Sequence, residues 1–301
     1  MSAPLPVSAL SDASPTAAEA LRRATETLAR AGVIAARLEA RLLVALGLGV
    51  SPEALLLRAE RVFGEAEQAR LDTLLRRRIR HEPIAHILGE REFWSLPFRV
   101  TRDTLIPRPE TETLVEAVLE HRPSAEHPSI LDLGTGTGCL LLALLHERPN
   151  AHGVGVDLSD AVLAVARANA ESLGLSERAR FVLSSWGAGV DGRYDVVVSN
   201  PPYVRTSEIE TLSPDVALFE PRLALDGGED GLARFRELVP QLRSVLNPDG
   251  LVALEVGIGQ ADAVGAMLAA VGIPVAARIS DLSGVLRCII GTKRDQSFYR
   301  P

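Results

Sequence analysis

From residue 130 onward, short apolar runs rich in β-branched residues alternate with longer helical patterns, and this alternation limits the fold more than any other feature. The runs fall at 130–133, 153–156, 181–183, 194–198 and 251–256, and a final β-rich pair covers 275–279 and 285–290. Between them lie helical patterns, one from about 139, one ending near 173, one over about 231–246 and one over 261–270. Nearly continuous apolar runs suit strands covered on both faces, and helices placed between strands supply the crossovers of a parallel sheet. The expected fold class is α/β: a doubly wound, mostly parallel sheet.

In such sheets ligands bind outside the carboxyl ends of the strands. Two strand ends carry unusual chemistry. After the run 194–198 comes Ser199-Asn200-Pro201-Pro202-Tyr203. Two prolines stop the strand, because each fixes φ and removes a ladder donor. The result is a stiff corner with an amide before it and an aromatic ring after it, suited to a planar, NH-bearing group. A proline-stopped loop whose Asn200 bonds its own backbone is the plainer alternative.

The first strand ends in Asp132-Leu133-Gly134-Thr135-Gly136-Thr137-Gly138. Its glycines allow backbone to approach a ligand, and the helix that follows offers free N–H groups. The spacing is G-x-G-x-G, not the G-x-G-x-x-G of dinucleotide folds. Asp157 follows Gly134 by 23 residues, at the end of the second strand, where a carboxylate can accept from ribose hydroxyls. A helix N-cap is the other use of an Asp there. Trp186, just past the third strand, either covers one face of a purine or packs in the core. Together these features line one cleft in strand order.

The first third reads as a helical bundle. Thr16-Ala17-Ala18-Glu19 forms a capping box, and the stripe Leu21, Ala24, Leu28, Ala31 runs on to Gly32. A second helix spans about 36–46, closed by Gly47 and Gly49; Ser51-Pro52-Glu53 opens a third; a fourth spans about 65–80. The bundle, residues 1–82, is a candidate for substrate recognition. Its Arg76-Arg77-Arg78-Ile79-Arg80 cluster suits either a solvated face or an acidic partner. Residues 83–106 read as a linker with a hairpin whose strands flank Ser95-Leu96-Pro97, and residues 107–301 form the α/β domain. Pro107 and Pro109 bracket Arg108 and place it rigidly.

Composition narrows the function classes. The 301 residues carry a net charge of −7, with Lys293 the one lysine. That balance weighs against grasping duplex nucleic acid. No apolar run approaches the roughly 18 residues of a membrane span, and residues 1–10 lack the marks of a signal peptide. Cys139 and Cys288 lie in apolar stretches and point to a reducing cytosol.

With these residues in view, the chain resembles class I S-adenosylmethionine-dependent methyltransferases. More narrowly it is similar to the PrmC/HemK family, the protein-(glutamine-N5) methyltransferases that modify the Gly-Gly-Gln glutamine of bacterial class I peptide chain release factors. The marks are Pro83-Ile84-Ala85-His86-Ile87, Arg91-Glu92-Phe93-Trp94, Leu105-Ile106-Pro107-Arg108-Pro109-Glu110-Thr111-Glu112, the glycine turn, the Asn-Pro-Pro-Tyr corner, Phe219-Glu220-Pro221 and Leu254-Glu255-Val256-Gly257. The resemblance covers about residues 21–290.

The resemblance implies a Rossmann-like sheet of seven strands, with a helical N-terminal domain and a hairpin linker. It implies S-adenosylmethionine as cofactor, S-adenosylhomocysteine as product, and a cytoplasmic enzyme acting as a monomer on the release-factor loop. By the same resemblance Gly134, Thr135, Gly136, Thr137 and Gly138 line the cofactor, Asp157 holds its ribose, Trp186 sits by its adenine, and Asn200 borders it. Asn200, Pro201, Pro202 and Tyr203 hold the glutamine, with Asn200, Pro201 and Tyr203 as the catalytic set. Many relatives carry an acidic residue at the position of Ser185, before the aromatic. Two rival substrates share the corner chemistry: the glutamine of a ribosomal protein, and the N6 amine of adenine in DNA. A base-flipping DNA enzyme usually needs a basic recognition domain.

Overall fold

The computed structural model describes residues 14–121 and 128–292, so Lys293 lies outside the described residues. The chain divides after Leu88 into two compact units.

The first unit consists of α1 (Ala17–Arg30), α2 (Ala36–Leu48), α3 (Pro52–Leu56), α4 (Glu65–Ile79) and the short α5 (Ile84–Leu88). Thr16 and Glu19 close a reciprocal capping box at the start of α1, and Ser51 caps α3 with Pro52 in its first turn. Leu28, Leu43, Val44, Phe63 and Leu71 form its core. Gly47 does not end α2. The helix runs through it to Leu48, and a Cβ at Gly47 would stand 3.3 Å from that of Leu71, so glycine here allows α4 to pack closely. Gly49, with φ of 66°, supplies the left-handed stop.

Two of the four arginines in the cluster on α4 are paired within the unit. Arg77 makes a two-pronged pair with Glu82, just past the end of α4, and Arg78 pairs with Glu39 of α2.

The second unit begins with a hairpin, β1 (Glu90–Phe93) and β2 (Leu96–Arg99). Its turn is Trp94-Ser95, at φ of 53° and 57°, and not Ser95-Leu96-Pro97; Pro97 lies inside β2, opposite Glu92. Both turn residues are left-handed, as the twist of a two-residue hairpin requires. The cost at a bulky residue is offset by two bonds: Trp94 N–H donates to Glu112 at 2.8 Å and its indole N–H to Glu147 at 2.7 Å. Phe93 and Phe98 meet edge to face at 6.1 Å and join the core of this unit.

After a 3-10 turn at Pro109–Thr111 come α6 (Glu112–His121), β3 (Ser129–Leu133), α7 (Cys139–Glu147), β4 (His152–Asp157), α8 (Asp160–Ser172), β5 (Ala179–Leu183) and β6 (Tyr194–Ser199). An irregular excursion over residues 204–231 holds two further 3-10 turns and α9 (Pro214–Phe219). The chain then forms α10 (Ala233–Val245), β7 (Leu246–Glu255), α11 (Ala261–Ala270), β8 (Val275–Ser280) and β9 (Leu286–Thr292).

The sheet has seven strands in the order β5-β4-β3-β6-β7-β9-β8. The pairs from β5 to β7 are parallel, and β9 runs antiparallel to both neighbours. Successive strand residues face opposite cores: Ile130, Val196, Val198 and Ala253 pack with α6, α7 and α8, whereas Leu131, Val197, Val252 and Leu254 pack with α10 and α11. Strand order reverses between β3 and β6, so their carboxyl ends flank the crevice where such sheets bind ligands.

Candidate active site

A cavity of about 340 Å³ opens at that crevice, within the roughly 300–1,000 Å³ usual for small-molecule sites. Of the residues singled out in the sequence, Gly134, Thr135, Gly136, Thr137, Asp157, Trp186, Asn200 and Pro202 line it. Three others stand behind the wall. Gly138, at φ of 83°, begins α7, where a Cβ would meet Leu142 at 3.2 Å. Pro201 is buried, and the Tyr203 hydroxyl bonds to Glu255.

The glycine turn is held from two sides. Gly134 and Thr135 both donate their N–H to the Val156 carbonyl, at 2.9 and 2.8 Å. Below the turn, the Thr135 hydroxyl donates to Asp132 at 2.7 Å. Asp132 is fully buried, and burial pushes its carboxyl up to about 7.

Asp157 accepts the N–H groups of Gly136, Leu158 and Ser159, so the turn fixes its orientation before any ligand arrives. Its pKa is raised by burial and pulled back by these three bonds. It is not the N-cap of α8; Ser159 is, accepting from Val162. Trp186, 8% exposed and at φ of 51°, both packs in the core and faces the cavity. Its indole N–H donates to Glu237 of α10, which also lines the cavity. Ser185 is exposed and Ser184 lines the wall beside Trp186.

These residues fit a nucleoside-bearing cofactor. A Cβ on Gly136 would meet nothing within 4 Å, and one on Gly134 would stand 3.5 Å from the Trp186 ring, so bare backbone, an oriented carboxylate and an aromatic wall share one space.

The corner after β6 is backed by a network that the sequence did not disclose. Asn200 Nδ2 donates to Thr111 Oγ1 at 3.0 Å, and the Thr111 hydroxyl donates to Glu255 Oε2 at 2.6 Å. Tyr203 donates its hydroxyl to Glu255 Oε1 at 2.9 Å. Burial raises the Glu255 carboxyl above the usual range, with the two hydroxyl bonds opposing, and burial also raises the Tyr203 phenol. Gln260 holds the backbone below, donating to the carbonyls of Tyr203 and Gly231 at 3.0 and 3.2 Å.

A second clamp holds the loop before α6. Glu220, 7% exposed, accepts from Ile106 N–H at 3.1 Å and from the Arg108 guanidinium at 2.6 Å. Arg108 therefore reaches the cavity wall through an ion pair as well as through its flanking prolines. Thr111, Glu220 and Glu255 all lie in stretches that carry the family resemblance. Their pairing joins segments 89 to 144 residues apart, which no local pattern shows. Cys139 also lines the cavity, but burial pushes its thiol up to about 12, so it stays protonated.

Two family models match the chain: the PrmC N-terminal domain over residues 19–89 and the methyltransferase small domain over residues 110–216. The release factor glutamine methyltransferase of Caulobacter vibrioides is 43% identical over 92% of this chain and 96% of its own length. Those of Bradyrhizobium diazoefficiens and Rhodospirillum rubrum are each 45% identical, covering 86% and 91% of this chain and 88% and 84% of theirs. Among solved structures, the catalytic domain of hMettl16 in complex with the MAT2A 3'UTR hairpin 6 aligns with a TM-score of 0.54 at 17% identity. That alignment covers 77% of this chain and 84% of the other, and it is a likeness of fold. A class I fold, a cavity suited to S-adenosylmethionine and relatives of this identity over nearly the whole length agree: the chain belongs to the release factor glutamine methyltransferase family.

Proposed function

We propose that this chain transfers a methyl group from S-adenosylmethionine to the side-chain nitrogen of the Gly-Gly-Gln glutamine in bacterial class I release factors. It acts on this reading as a monomer in the cytoplasm, where translation ends, and its partner is a protein loop and not duplex nucleic acid. The observation that carries the reading is the polarity of Asn200. Its amide nitrogen is committed to Thr111, which leaves the carbonyl oxygen, an acceptor, for the cavity.

When bound, the cofactor supplies a sulfonium methyl, and the glutamine nitrogen that takes it gives up one proton to water. The chain's part is placement. A carboxamide nitrogen is a poor nucleophile, because its lone pair is delocalised into its own carbonyl. Asn200 Oδ1, which borders the cavity, would accept one of its N–H groups and so restrict where the lone pair points. Pro202 bounds the amide on the cavity side, and Tyr203 stiffens the corner through Glu255. Gly134 to Thr137, Asp157 and Trp186 would hold the cofactor.

The test is methyl transfer from labelled S-adenosylmethionine to purified release factor, its Gln-to-Ala variant, a ribosomal protein and DNA in parallel. Label confined to wild-type release factor is expected. Label on DNA or ribosomal protein in its place would overturn the substrate.

A further inference from the structure

A carboxamide can sit in its pocket in two ways that differ by exchanging a donor for an acceptor while barely changing shape. At Asn200 the two ways have opposite chemical meaning. With Oδ1 toward the cavity, the side chain accepts an N–H; with Nδ2 there, it presents a donor to a donor. Something must decide between them, and the sequence of the corner itself does not.

The deciding groups lie outside the corner. Glu255 is 1% exposed, and each of its oxygens accepts from a hydroxyl, Oε2 from Thr111 at 2.6 Å and Oε1 from Tyr203 at 2.9 Å. In its ionised form Glu255 has no proton to give, and both hydroxyl hydrogens then point at it. A threonine hydroxyl has only one hydrogen. Once it is committed to Glu255, Thr111 Oγ1 has only lone pairs to offer Asn200, and only Nδ2 can meet them.

We propose that Thr111 and Glu255 are positioning residues that set the polarity of Asn200, and so make the corner an acceptor for the substrate N–H. The chain of control runs from a buried carboxyl group through one hydroxyl to the amide. Thr111 is itself buried and both of its contacts are made, so the arrangement is rigid as well as polarised. This rests on the proposed N-methylation, since only an N–H substrate needs an acceptor there.

The test compares Thr111→Val, which keeps the shape and loses the hydroxyl, with Thr111→Ser, which keeps the hydroxyl. Thr111→Val should lower kcat by about 30- to 100-fold, in the range of losing one pre-aimed polar contact. KM for release factor and the Kd of S-adenosylhomocysteine by calorimetry should stay within about threefold, because Gly134 to Thr137, Asp157 and Trp186 keep their places and valine keeps the shape of Thr111 on the wall. Thr111→Ser should recover most of the rate. A role in packing alone predicts the reverse order, since Val fills the space better than Ser.

A second readout does not depend on the substrate. In 15N-labelled protein the Asn200 side-chain NH₂, assigned with Asn200→Ala, should exchange slowly with solvent in wild type and Thr111→Ser and quickly in Thr111→Val. Unchanged exchange in Thr111→Val, or unchanged kcat, would overturn the proposal. Slow exchange as expected in an enzyme that methylates no amide would instead overturn the substrate reading and leave the polarity device standing.

Discussion

The Ser199 hydroxyl donates to the Leu133 carbonyl at 2.6 Å, in full burial, and so ties the carboxyl end of β6 to that of β3. The glycine turn begins one residue after Leu133, and the Asn-Pro-Pro-Tyr corner begins one residue after Ser199. Beyond the β3–β6 ladder, this hydrogen bond braces the glycine turn against the Asn-Pro-Pro-Tyr corner. Ser199→Ala should destabilise the fold by about 1–3 kcal/mol, the cost of a buried acceptor left short of a partner. It should also weaken cofactor binding, because the turn loses its brace. Urea unfolding and calorimetry with S-adenosylhomocysteine check both, and wild-type values in each would show that the bond sets nothing.

Asn200→Ala removes the acceptor but leaves the glycine turn, Asp157 and Trp186 in place. Turnover should fall by at least about a hundredfold, with cofactor Kd changed only slightly. Steady-state kinetics beside calorimetry gives the split. A near-normal kcat would refute the role assigned to this amide.

Asp157→Ala should do the opposite. The carboxylate orders Gly136, Leu158 and Ser159 and faces the cavity, so its loss should raise the cofactor Kd by about 10- to 100-fold, in line with charge-assisted hydrogen bonds. At saturating cofactor, kcat should recover much of its value. An unchanged Kd would remove Asp157 from the binding site.

Asp132 gives a pH prediction with a definite sign. Its carboxyl is at about 7 in the fold against 3.8 as the reference value, so the native state holds this proton where the unfolded chain has lost it. The group favours folding most below pH of about 4, and its contribution is lost as pH rises from about 4 to about 7. Asp132→Asn carries no titrating group and escapes that loss. The Tm of the variant relative to wild type should therefore rise between pH 5 and pH 8, and a pH-independent difference would contradict the assignment.

Much of this was legible in the sequence because it depends on local pattern. Runs of β-branched residues marked the seven strands, the glycine turn and paired prolines marked the two strand ends that line the cavity, and the capping box at Thr16 marked the first helix. What escaped depends on tertiary proximity. The hairpin turn falls on Trp94 and Ser95 because Glu112 and Glu147 hold Trp94, which overrides the usual preference for glycine or asparagine at positive φ. Gly47 reads as a helix stop until Leu71 is seen against it. The arginines of α4 read as a solvated face or a contact for an acidic partner until Glu39 and Glu82 are seen to take two of them. Glu255 stands in the sequence only as part of a stretch that carries the resemblance, and only the fold brings Thr111 and Tyr203 to its two oxygens.

The most direct measurement is tandem mass spectrometry of release factor after reaction with the enzyme and deuteriomethyl-labelled S-adenosylmethionine. The account predicts one labelled methyl per molecule, on the side-chain nitrogen of the Gly-Gly-Gln glutamine. A label on any other residue, or none under conditions where the cofactor binds, would contradict it.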